Sequence, residues 1–230
     1  MPTLKKIAEQ ICRKNLPLLL PDTCSLLDII RDVARKDEVK DVLFGLSVGK
    51  ACANPNPKCS VAVASVIPKE YADHFEQAQG TVSTTFGSLY KYIARINKIR
   101  VAQGFDELQA DQDTSTIPYL TSVVESLLDS SWEIQENPEQ ILKAHHRVVA
   151  KSPPSGGKNS YKDCLIWEEY LALAECIRKA GGSMPIAFVS SNKSDFVMNH
   201  PTLKTLDTEA ARFDIALCPN WEKIHHELGL

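Results

Sequence analysis

The stretch LPLLLPDTCSLLDIIRD, residues 16–32, sets the frame for the whole chain. Leu16–Leu20 is an apolar run closed by Pro21, the pattern of a strand buried on both faces of a parallel sheet. Asp22 and Thr23 follow at once, and Leu26, Leu27, Ile30 and Val33 then recur at helical spacing. A carboxylate at that junction has two readings. It can cap the helix that begins there. It can also face a ligand, because open parallel sheets bind ligands outside the carboxyl ends of their strands.

Working outward, the same strand-to-helix rhythm recurs. Val39–Cys52 reads as a helix, and CSVAVASVI (59–67), set between Pro57 and Pro68, as a second buried strand. Pro68 suits the first turn of the helix PKEYADHFEQAQ, and a long helical stretch follows from Val82 to about Gln103. GFDELQADQDTST (104–116) is polar and acidic, a loop or a hairpin of helices. Helical patterns resume at Tyr119–Trp132 and Pro138–Val149, and KSPPSGGKNS (151–160) is a loop. YKDCLIWEEYLALAECIRKAGG is a strong helix, with Ser160 as N-cap, Asp163 in a capping box and Gly181–Gly182 as stop. PIAFVSS is the third buried strand, and RFDIAL and NWEKIHHEL supply a last strand and helix. Apolar strands alternating with helices predict an α/β fold around a mainly parallel sheet. The length of 230 residues suits a single domain, 1–230.

Composition narrows the function. A net charge of −3 excludes a strongly basic protein, so nucleic acid would be bound through a local patch. The seven cysteines are scattered without a CxxC pair, which points to a reducing compartment and to thiols used as small apolar residues. The N-terminus, MPTLKKIAEQICRKN, is amphipathic rather than a signal peptide, and no window has the apolar length of a membrane span. A cytoplasmic protein without a membrane partner is expected.

The acids fall at informative places. Asp22 follows the first strand, Asn192 and Asp195 follow PIAFVSS, and Asp163 opens the helix leading into that strand. Converging carboxylates raise one another's pKa unless a cation sits among them. Hard oxygens without neighbouring Cys or His pairs suit Mg²⁺ or Mn²⁺. Each acid also has an ordinary reading: Asp22 and Asp163 as helix-capping residues, Asp195 as a turn residue. His145–His146 and His225–His226 are adjacent in helices and cannot chelate as pairs. Lys151, Lys158, Lys162 and Lys193 lie near the acids and read as a basic rim for phosphate, or as solvated loop lysines. Trp132, Trp167 and Trp221 read as core.

At PDTCSLLDI, SYKDCLIWEEYL and FVSSNKSDF the sequence resembles the PIN domain, a fold of many metal-dependent ribonucleases and toxin nucleases. The likeness is strongest to larger PIN-like proteins whose last acidic motif reads Ser-x-Asn-Lys-x-Asp-Phe. It implies a three-layer α/β fold with a helical insertion at about 80–150. It also implies catalysis and metal binding by Asp22, Asp163 and Asp195, with Thr23 and Asn192 as supporting neighbours. The family's second acid, a glutamate, falls near Asp73–His74, with Glu70 and Glu76 as alternatives. Cys24 departs from the family, which often has Asn there. Lys158, Lys162 and Lys193 would contact RNA. The activity implied is Mg²⁺- or Mn²⁺-dependent endoribonuclease chemistry on an RNA substrate, with an inhibitor or antitoxin protein and a homodimer left open. A non-catalytic PIN-like module that binds RNA or a protein is the alternative. A phospho-aspartate enzyme fits poorly, since Cys24 stands where its second acid belongs, and no cysteine has the arginine six residues on that a cysteine phosphatase needs.

Overall fold

The computed structural model describes residues 3–36, 38–109, 115–155, 160–192, 196 and 203–230, the side chain of Leu203 excepted. Helix α1 (Leu4–Lys14) leads into β1 (Leu18–Pro21), followed by α2 (Thr23–Arg35) and α3 (Lys40–Ala53). Strand β2 (Ser60–Val63) runs into α4 (Ile67–Ala102), and then come α5 (Thr116–Asp129), β3 (Trp132–Glu133) and α6 (Pro138–Ala150). The chain continues through α7 (Tyr161–Lys179), β4 (Ile186–Val189), α8 (Leu203–Arg212), β5 (Ile215–Cys218) and α9 (Trp221–Glu227).

Among the described residues five strands pair in parallel in the order β3-β2-β1-β4-β5. β1 occupies the centre because its leucines are apolar on both faces; Leu18, Leu19 and Leu20 are all fully buried. Contacts divide the helices into two layers. α1, α6 and α7 pack together on one side of the sheet, and α2, α3, α4, α5 and α9 on the other. Burying large aliphatic side chains on both faces, at roughly 1.5–3 kcal/mol each, is what holds such a sandwich together. Trp167 and Trp221 belong to this core and are almost wholly enclosed.

Tight packing in the second layer requires two glycines. A Cβ on Gly45 would lie 2.8 Å from Ile29 Cγ1, and one on Gly49 would lie 2.6 Å from Val123 Cγ1. These positions let α3 press against α2 and α5. In the first layer, the guanidinium of Arg147 (α6) joins Glu168 (α7) to Glu209 (α8) and donates to the Pro153 carbonyl, while Trp167 Nε1 donates to Glu209 at 2.8 Å.

Several boundaries differ from the sequence reading. The second strand stops at Val63, because Ile67 N bonds to the Ala64 carbonyl and Ser65 bonds to Glu169, turning the chain early. The two helices expected on either side of Gly80 are one 36-residue helix. A glycine costs only about 1 kcal/mol relative to alanine, too little to break a helix that propagates on both sides. Trp132 ends no helix; it opens β3, an edge strand of the sheet inside the stretch read as a helical insertion. Among the described residues no helix is long and apolar enough to cross a membrane.

Candidate active site

An order of β3-β2-β1-β4-β5 reverses direction between β1 and β4, so the crevice outside their carboxyl ends is the topological switch point. Asp22 stands in that crevice. Its backbone is extended at the N-cap position of α2, yet its side chain makes no cap hydrogen bond. The carboxylate instead reaches across the sheet. Ser190 Oγ, one residue past β4, donates to Asp22 Oδ2 at 2.7 Å, and Cys24 Sγ donates to the same oxygen at 2.8 Å. Ser190 is itself positioned by the Asn192 amide, which donates to its Oγ at 3.1 Å.

This is an unusual place for a carboxylate. Asp22 is 3% exposed, and burial pushes its pKa up, with the hydrogen bonds from Cys24 and Ser190 opposing and the charge of Glu70 adding to the rise. The Cys24 thiol is pushed up to about 12, first by burial and then by the charge of Asp22, so it remains a protonated donor. The cysteine therefore does the orienting work of an amide at this position.

Glu70, in the first turn of α4, is tied to the same junction. Thr23 Oγ1 donates to Glu70 Oε2 at 2.7 Å, so the Asp-Thr pair of the opening stretch fixes two carboxylates rather than one. Asp73 and Glu76, one and two turns further along, are exposed. The helical register decides this: Glu70 shares the edge with the start of α4, and later residues move away along the axis.

The first turn of α7 closes the third side. A helix that feeds a parallel strand must begin at the carboxyl edge, and Lys162 Nζ lies 3.5 Å from Glu70 Oε1. Asp163 is the next residue, half-buried. Ser160 makes no side-chain cap bond, so the capping box expected there is not formed from its side. Deeper on α7, Tyr170 donates to the Pro21 carbonyl at 2.6 Å and accepts from the Ala64 amide, locking the ends of β1 and β2 together. Glu169 accepts from Ser65 N and Oγ, each at 2.7 Å, and burial pushes its carboxyl up to about 7.

Asp195, Lys158 and Lys193 lie outside the described residues. Among the described residues, no three His, Cys, Asp or Glu side chains stand together as a metal-holding group. Asp22 and Glu70, held by the adjacent residues Cys24 and Thr23 respectively, carry hard oxygens of the kind Mg²⁺ and Mn²⁺ prefer, and the charge of Glu70 adds to the rise in the Asp22 pKa that a cation would relieve. Ser190 went unnoticed in the sequence, although its place just past a buried strand is the signal that singles out Asp22.

A model of the PIN domain family matches residues 22–196, from the first of these acids to Phe196. The chain belongs to the PIN domain family. The match covers β1's exit, the Glu70 turn, the first turn of α7 and the β4 exit, so the family's boundaries enclose the whole carboxyl edge described above. Its fold is the α/β parallel-sheet architecture of a PIN domain, and the family as a whole is one of nucleases. No curated protein and no solved structure matches the chain.

Proposed function

We propose that the protein is a divalent-metal-dependent phosphodiesterase, an endoribonuclease whose metal is held by Asp22 with Glu70, Asp163 and Asp195. One observation carries the reading. Asp22 declines the helix cap its position offers and is held instead by Ser190 across the β1/β4 switch point and by Cys24 from its own helix, with the charge of Glu70 acting on it. A buried carboxylate with an acidic neighbour is a poor structural element and a good cation ligand.

A bound Mg²⁺ or Mn²⁺ would lower the pKa of a water and offset charge on the phosphoryl oxygens. The chain's own groups prepare that chemistry. Ser190 and Cys24 fix the rotamer of Asp22, and Thr23 fixes Glu70. Lys162, now near Glu70, is available to a phosphate, and Lys158 and Lys193 are proposed to join it. No side-chain nucleophile is needed.

The test is Mn²⁺-dependent cleavage of single-stranded RNA. Asp22→Asn should lower the rate by at least about 1,000-fold and Glu70→Gln by about 100-fold, the range seen when a charge-stabilising group is removed. Thermal stability of Asp22→Asn should be unchanged or higher, since a neutral amide replaces a desolvated acid. An unchanged rate for Asp22→Asn would remove the proposal. The second reading, a non-catalytic module binding RNA or a protein, is favoured by the lack of a three-group metal set among the described residues. Titration calorimetry separates the two: no heat with millimolar Mn²⁺ supports the module.

A further inference from the structure

The distal half of α4 has no task in the site just described. The last core residue of the helix is Val82, and twenty residues follow before it ends at Ala102. The chain then folds back along the helix, and among the described residues Asn97 exchanges two hydrogen bonds with the backbone of Leu108 and Arg100 donates to the Asp106 carbonyl. Leu89, Tyr92, Ile99 and Val101 are more than half exposed, an unusual expense of apolar surface.

Its charge is equally one-sided. Between Glu76 and Asp106 the sequence has no acidic residue, while Lys91, Arg95, Lys98 and Arg100 all fall on the projecting segment of a chain whose net charge is −3. Arg100 is occupied by Asp106 and by the Phe105 ring. Lys91, Arg95 and Lys98 are exposed and make no ion pair with any described residue. Spaced i, i+4 and i+7, they share one helix face, with the second about 6 Å and the third about 10 Å from the first along the axis. Tyr92, 61% exposed, stands next to Lys91.

We infer that the distal arm of α4 is a binding site for single-stranded RNA, with Lys91, Arg95 and Lys98 on successive phosphates and Tyr92 stacking on a base. The inference rests on the ribonuclease reading for its choice of RNA. Charge complementarity points to a polyanion as occupant, since the exposed segment carries three cations and the sequence has no acid between Glu76 and Asp106. A spaced row of exposed cations with an exposed aromatic ring is the combination that tracks a strand without reading its sequence. At 1.5 Å per residue, Lys91 lies about 32 Å along the axis from Glu70, so the arm is a second anchor, remote from the cutting edge. It would tighten long strands and leave short ones unaffected.

The experiment is fluorescence anisotropy with a labelled single-stranded RNA of about 20 nucleotides, beside cleavage of an oligonucleotide too short to reach the arm. Lys91→Ala/Arg95→Ala/Lys98→Ala should weaken binding at least tenfold at low salt and flatten the slope of log affinity against log salt by about 2. Tyr92→Ala should weaken it about fivefold or more. The triple variant should still cut the short oligonucleotide at the wild-type rate, whereas Asp22→Asn should bind the long strand normally and cut neither. Unchanged affinity and slope in the triple variant would overturn the arm while leaving the nuclease reading intact. So would a preference for duplex over single strand, or a dimer that the triple variant abolishes without affecting RNA binding. A wild type that binds the strand through the arm and never cuts would instead defeat the nuclease reading alone.

Discussion

Helix α4 is two different objects joined end to end. From Ile67 to Val82 it packs on α2, buries Ile67, Tyr71, Ala78 and Val82, and presents Glu70 to Thr23 at the sheet edge. From Gly87 to Ala102 it buries nothing and presents cations and exposed apolar side chains. The backbone is the same in both halves, so helix formation is not what distinguishes them. Tertiary packing is: one half is fixed by a core and the other stands on its own propensity.

That contrast can be broken most directly with proline. Ala78→Pro should unfold the domain or cost at least about 3 kcal/mol of global stability, because the helix there is part of the core. Arg95→Pro should leave the main calorimetric transition in place and remove only the helical circular dichroism of the arm. An equal loss of stability in the two variants would show that the arm is coupled to the core after all.

The edge and the arm also differ in how they carry charge. Lys91, Arg95 and Lys98 on the arm are exposed, whereas Glu169 near the edge is 1% exposed and its carboxyl is pushed up to about 7 by burial. An acid whose folded pKa lies above its unfolded value binds its proton more tightly when folded. Its favourable contribution is therefore complete at low pH and is lost as pH rises from about 4.5 through about 7. Chemical denaturation across that window should show stability falling by roughly 3 kcal/mol from this group, and Glu169→Gln should flatten the fall. A pH profile identical in the variant would mean that the Ser65 hydrogen bonds hold the ionised form as well as the neutral one.

The smallest effect sharpens the same contrast. Val82→Ala should cost about 1–2 kcal/mol, while Ile99→Ala, a larger truncation at a 59% exposed site, should stay within about 0.5 kcal/mol. Urea midpoints measured side by side decide this.

The sequence was most informative where local pattern and tertiary role coincide. Leu16–Leu20, CSVAVASVI and PIAFVSS show their burial directly, because a strand covered on both faces leaves no polar alternation. Pro68 announced the start of a helix, and the three motifs around Asp22, Asp163 and Asp195 announced the family, whose model matches residues 22–196. Gly80 misled, because a single glycine looks like a break and costs too little to be one. Trp132–Glu133 misled because a two-residue edge strand has no period to detect.

Which of three acids on α4 turns toward Asp22–Thr23 could not be chosen from sequence. Glu70, Asp73 and Glu76 lie within two turns of one helix and are chemically alike. Only the docking of α4 beside α2 brings Glu70 to Thr23 and leaves the other two exposed. The fate of Asp22 was undecidable for the same reason. An aspartate before a helix is a cap or a ligand according to what lies across the sheet, and Ser190 is 168 residues away in sequence. Hydrophobic pattern, being local, determined the layers and their order of appearance. The pairing of buried polar groups, being non-local, was decided only when β1 and β4 came to lie side by side.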